Sequence, residues 1–96
     1  MPAQEDRDYA KADLRRLVEG IWIERLKLDE VKSDTDFFWS GGHSLIAVQI
    51  VSRLRESLPG MRIPSTAVFQ FPVFADFLNA MERLMKEAAA VAKPEP

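Results

Sequence analysis

Apolar residues recur along this chain at helical rather than strand spacing. Leu14, Leu17, Val18, Ile21, Trp22 and Leu26 fall at steps of three and four, which predicts an amphipathic helix over Tyr9–Lys27. Gly20 lies inside it at a cost of about 1 kcal/mol relative to alanine. A polar connection rich in Asp, Ser and Lys follows over Leu28–Ser40, with Val31 as an isolated apolar anchor. A second helix is predicted over Ser44–Leu58, stopped by Pro59-Gly60. Ala47, Val51, Leu54 and Leu58 form one face of it, and Leu45, Ile46, Val48 and Ile50 widen the apolar arc. So wide an arc implies burial on several sides or a docking surface. Met61–Pro64 reads as extended, and Ser65–Phe69 as a short helix with Ser65 as its N-cap. After Pro72, the run Phe74, Phe77, Leu78, Met81, Leu84 and Met85 predicts a last helix over Val73–Glu87. The sum is an all-α fold of three main helices, one short helix and a long first loop.

Composition narrows the classes. Ninety-six residues, 47% hydrophobic with six Phe, make one small domain with a single core. Residues 1–8 read as a disordered lead, 9–88 as the folded domain and 89–96 as a flexible tail. Fifteen acidic and 13 basic residues are mixed along the chain for a net charge of −2, which argues against nucleic acid. Without cysteine there is no disulfide or thiolate site. No apolar run reaches the ~20 residues of a membrane span, and the N-terminus has no signal-peptide core. A cytoplasmic monomer is the default expectation.

Candidate chemistry gathers where the long loop meets the second helix, at Gly41-Gly42-His43-Ser44. Ser44 reads in two ways. As an N-cap it would satisfy a free N–H, but a capping box wants Glu or Gln where Ala47 stands, and capping does not account for the two glycines. As a modified hydroxyl it would hold a phosphate against the unpaired N–H groups and positive pole of the helix start, with the glycines letting the chain turn and clearing access. His43 is the sole histidine. Gly42-His43-Ser44 matches half of a nucleophile elbow, but Ile46 stands where its second glycine belongs. Adjacent side chains at a helix start diverge, so a Ser–His catalytic pair is disfavoured. One histidine without cysteine argues against a transition-metal site.

The stretch Asp36-Phe37-Phe38-Trp39-Ser40-Gly41-Gly42-His43-Ser44-Leu45 resembles the signature of carrier (thiolation) domains, especially the peptidyl carriers of nonribosomal peptide synthesis. Phe69-Gln70-Phe71-Pro72-Val73 is similar to the same family's approach to its last helix, and the resemblance spans about Leu14–Met85. The near balance of charge fits a peptidyl carrier better than the strongly acidic fatty-acid type. Trp39 and Ser40 depart from the family pattern of an acidic residue and a leucine. Val73 replaces a capping threonine, so a poorly capped last helix is expected.

The resemblance implies an acyl-carrier-like four-helix bundle that bears 4′-phosphopantetheine, taken from coenzyme A, on Ser44, with Gly42 and His43 flanking the attachment. It implies as partners a phosphopantetheinyl transferase, an adenylation enzyme, and downstream condensation, tailoring or thioesterase enzymes. Catalytic and metal-ligating residues are not expected. Leu45, Ile46, Arg62 and Trp39 are candidate partner contacts. Trp39 could instead plug the core, as at least one of Phe37 and Phe38 should. Arg53, Arg55 and Glu56 read as a solvated face. A noncovalent helical adaptor is the alternative, and a small serine hydrolase a weak third.

Overall fold

In the computed structural model residues 11–92 are described, with side chains described from 12 to 89. The lead expected over 1–8 therefore lies outside the described residues, as does Tyr9. Four helices follow in order: α1 (Lys11–Leu26), α2 (Ser44–Ser57), α3 (Ala67–Gln70) and α4 (Phe74–Ala92). α1 packs against α2 and α4, and α3 against α2. Among the described residues the only β pairing is an isolated antiparallel bridge, Asp36 to Val73. None of their helices is long and apolar enough to cross a membrane.

The apolar pattern becomes the core. Leu14, Val18, Ile21, Trp22, Ala47, Val51, Leu54, Phe74, Phe77 and Met81 are all buried. Trp22 is its centre. It meets Phe74 edge-on at 5.2 Å, Phe77 at 5.5 Å and the loop residue Phe37 at 6.0 Å between ring centroids. Such aromatic contacts add about 0.5–1.5 kcal/mol each to area burial. A loop residue thus sits in the middle of the helical core.

Helix ends differ from expectation in instructive ways. α1 stops at Leu26 because Lys27 turns left-handed (φ 58°) and the Leu28 N–H donates to the Ile23 carbonyl at 3.0 Å, a Schellman stop built on lysine instead of glycine. The short helix starts at Ala67, so Ser65 is not its cap. Thr66 takes that position without a side-chain capping bond, its Oγ1 accepting from Gln70 Nε2 instead. α4 runs to Ala92, past Glu87, so 89–92 are helical instead of part of the expected flexible tail, and the rest of that tail, 93–96, lies outside the described residues. Its start is also better satisfied than Val73 suggests: the N–H groups of Phe74 and Ala75 donate to the carbonyls of Thr35 and Ser33 at 2.8 and 2.9 Å. The long loop caps the helix with its own backbone.

Candidate functional site

The same three-bond clasp holds the loop. The Phe37 N–H donates to the Pro72 carbonyl at 2.7 Å beside the two bonds into α4, and this register turns the Phe37 ring fully inward. Asp36 then organises the next residues. Its Oδ1 accepts from the N–H groups of Phe38 (2.8 Å) and Trp39 (3.1 Å), while its carbonyl accepts from Ser40. An Asx turn of this kind lets one carboxylate replace several missing backbone partners.

The two glycines have separate reasons. Gly41 adopts φ +95°, a region open to glycine and costly to other residues. Gly42 lies on the Phe37 ring: a Cβ there would come within 2.4 Å of Cζ and 2.5 Å of both Cε atoms. Gly42 therefore serves packing, a role beyond the clearance expected of it. After it His43 is extended, and its carbonyl accepts the first α2 bond from Ala47 at 2.9 Å. His43, not Ser44, is the N-cap residue, and its side chain makes no capping bond.

Ser44 is thus the first helical residue and is exposed. None of the side-chain hydrogen bonds of the described residues uses its hydroxyl. The N–H groups of Ser44, Leu45 and Ile46 precede the first intrahelical bond and have no side-chain cap, leaving unpaired donors and partial positive charge beside Oγ. No acidic residue occupies this first turn to compete. A phosphate esterified to Oγ fits these surroundings. His43 makes no hydrogen bond to Ser44 or to a carboxylate among the described residues, and those residues contain no cluster of metal-ligating side chains.

The expected partner contacts separate. Trp39 is 90% exposed and Leu45 60%, whereas Ile46 is partly buried against the core. Arg62 is exposed but follows the far end of α2, where Arg55 donates from Nε and Nη2 to the Ile63 carbonyl at 2.9 and 2.6 Å. Arg55 is accordingly a tether, not simply part of a solvated face. Sequence reasoning passed over a pairing: Phe38 and Phe69, both partly exposed, stack at 5.9 Å with 22° between their planes. No local pattern joins residues 31 positions apart; only the clasp brings them together. Val48, one turn beyond Ser44, is the remaining large exposed hydrophobic among the described residues.

A family model described as the phosphopantetheine attachment site matches residues 16–81. A solved nonribosomal PCP domain is 33% identical, covering 82% of this chain and 90% of its own, with a TM-score of 0.59. The chain belongs to the peptidyl carrier family. Members of this family hold 4′-phosphopantetheine and are generally non-catalytic. The carrier also resembles BlmI, a type-II acyl carrier protein of Streptomyces verticillus involved in bleomycin biosynthesis, at 25% identity and a TM-score of 0.69 over 76% of this chain and 87% of that one. It is 36% identical over 92 residues to the phosphinothricin tripeptide synthetase PhsB of Streptomyces viridochromogenes, a match over 83% of this chain that spans only 8% of the synthetase. The fold and the carrier role in nonribosomal peptide synthesis agree with the resemblance drawn from the two motifs.

Proposed function

We propose that Ser44 is the residue that bears the 4′-phosphopantetheine arm, and that the carrier shuttles aminoacyl, aryl or peptidyl thioesters on it between the enzymes of a nonribosomal or related secondary-metabolite pathway. The observation that supports this most is the exposed, unbonded Ser44 hydroxyl beside the free N–H groups of the α2 start. Ser44 Oγ attacks the β-phosphorus of coenzyme A, the phosphoanhydride bond breaks, 3′,5′-adenosine bisphosphate leaves, and the hydroxyl proton passes to a base of the transferase. When attached, the arm supplies a thiol for thioester formation.

The carrier's own residues then hold and present. The first-turn N–H groups of α2 would offset the phosphodiester's charge, and the braced loop holds Ser44 at the helix start. No general acid, base or oxyanion hole is contributed from this chain. Tethering replaces diffusion by a high effective concentration at each partner. Those partners are a phosphopantetheinyl transferase, an adenylation enzyme, and condensation, tailoring or thioesterase enzymes, reached through Trp39, Leu45 and the exposed part of Ile46, with Arg62 at the edge. Intact mass measurement after incubation with coenzyme A and a promiscuous transferase tests the assignment. Wild type gains one phosphopantetheinyl group and Ser44→Ala gains none. An unmodified wild type beside a working control carrier would leave the noncovalent adaptor.

A further inference from the structure

Little holds Ser44 in place. Residues 38–46, which surround it, have no buried side chain; the flanking buried anchors are Phe37 before them and Ala47 after. On the loop side their backbone bonds all run back to residues 36–38: the Ser40 N–H donates to the Asp36 carbonyl at 3.0 Å, Gly41 to that of Phe38 at 3.1 Å and Gly42 to that of Phe37 at 3.0 Å. Among the side-chain hydrogen bonds of the described residues, only the pair accepted by Asp36 Oδ1, from Phe38 and Trp39, enters this stretch. The Phe38–Phe69 stack is its other side-chain hold, and both rings are partly exposed. Asp36 is itself bridged to Val73 at the start of α4. Its carboxylate therefore links the ordered bundle to the turn that delivers the serine.

We infer, on the reading of Ser44 as the attachment point, that Asp36 is a positioning residue for its modification: the carboxylate acts as a fixed acceptor, not as a charge, and keeps the 38–43 turn in the conformation that presents the hydroxyl. Apolar packing cannot stand in for it, because the turn buries nothing. Without the acceptor the N–H groups of Phe38 and Trp39 turn to water, and Gly41-Gly42, with the widest backbone freedom, loses its fixed starting direction. A carrier whose turn is misdirected has to re-form it on docking, so its apparent affinity falls by the fraction still competent. That is a loss of uniform binding, which raises KM and leaves kcat in place. The acceptor also has to be short enough to curl over its own backbone, as Asp and Asn are in Asx turns. Glu, one methylene longer, keeps the charge and loses the fit.

The test is steady-state transfer of the arm from coenzyme A to the full-length carrier by a promiscuous phosphopantetheinyl transferase, followed by intact mass. Asp36→Ala and Asp36→Glu are expected to raise KM for the carrier about tenfold or more, with kcat within about twofold of wild type. Asp36→Asn stays within about threefold in both. Val18→Ala truncates a buried α1 side chain, costs stability and leaves the Asp36 bonds intact; it stays near wild type. Each variant is checked for an unchanged helical spectrum, and should Asp36→Ala not fold, the contrast between Glu and Asn decides alone. Rescue by Glu with failure of Asn overturns the inference, because charge would then be the working feature. So does a Val18→Ala loss equal to that of Asp36→Ala, a loss confined to kcat, or an Asp36→Ala variant within about twofold of wild type. Wild type that takes up no arm beside a working control carrier sinks the Ser44 reading itself; modified wild type with any of the other contrary results sinks only the role of Asp36.

Discussion

Gly42→Ala tests how the loop is built. The added methyl would stand 2.4–2.5 Å from three atoms of the Phe37 ring, against ordinary carbon contacts of about 3.5–4.0 Å. Relief requires a displacement of about 1 Å. The ring cannot easily supply it, being fully buried between Trp22 at 6.0 Å and Phe38 at 5.2 Å. Overpacking of this kind costs about 1–3 kcal/mol. Since Gly42 does not have a positive φ, the whole cost is steric. Trimming the ring should therefore recover part of it: Phe37→Leu with Gly42→Ala is expected to show a favourable coupling of about 1 kcal/mol or more in a double-mutant cycle. Gly41→Ala is the control. Nothing lies within 4 Å of its missing Cβ, and only φ +95° opposes a side chain, so it costs about 1 kcal/mol and shows no coupling to Phe37. Urea unfolding gives the values, and in a domain of this size each kcal/mol moves Tm by about 4–8 °C. A Gly42→Ala cost below about 0.5 kcal/mol, or equal coupling of both glycines to Phe37, would refute the reasoning.

Other substitutions probe single contacts. Asp36→Ala removes the acceptor shared by Phe38 and Trp39 and should cost about 1–3 kcal/mol; Asp36→Asn keeps most of it, and faster amide exchange at those two residues in the alanine variant alone is the check. Lys27→Gly relieves a left-handed residue at the α1 stop and should stabilise by up to about 1 kcal/mol in thermal unfolding. Gly20→Ala, on an exposed helical position with open space around it, should stabilise by about 0.4–1 kcal/mol, and a destabilised variant would show that Gly20 has a packing role.

What the sequence made legible was whatever is local. The helical spacing of Leu14–Leu26 and Phe74–Met85 translates directly into buried faces, and the Gly-Gly-His-Ser run marks the start of α2. What stayed hidden depends on contacts across the chain. Phe37 and Phe38 are chemically identical, and only the bridge of Asp36 to Val73 decides that the first turns inward and the second outward. Val73 lacks a capping oxygen, yet α4 is capped, because the acceptors come from Ser33 and Thr35 some forty residues earlier. The length of α4 was missed for another reason. Beyond Met85 the apolar period fades, but Ala88, Ala89 and Ala90 sustain a helix by propensity alone.

The chemistry of this carrier converges on one hydroxyl. Peptide-level mass spectrometry of the protein after treatment with coenzyme A and a transferase locates the added group directly. The expected result is one phosphopantetheinyl group on the fragment holding Ser44, and none anywhere in Ser44→Ala. An arm on Ser40 or Ser52, or an unmodified chain beside a fully modified control carrier, would contradict the account.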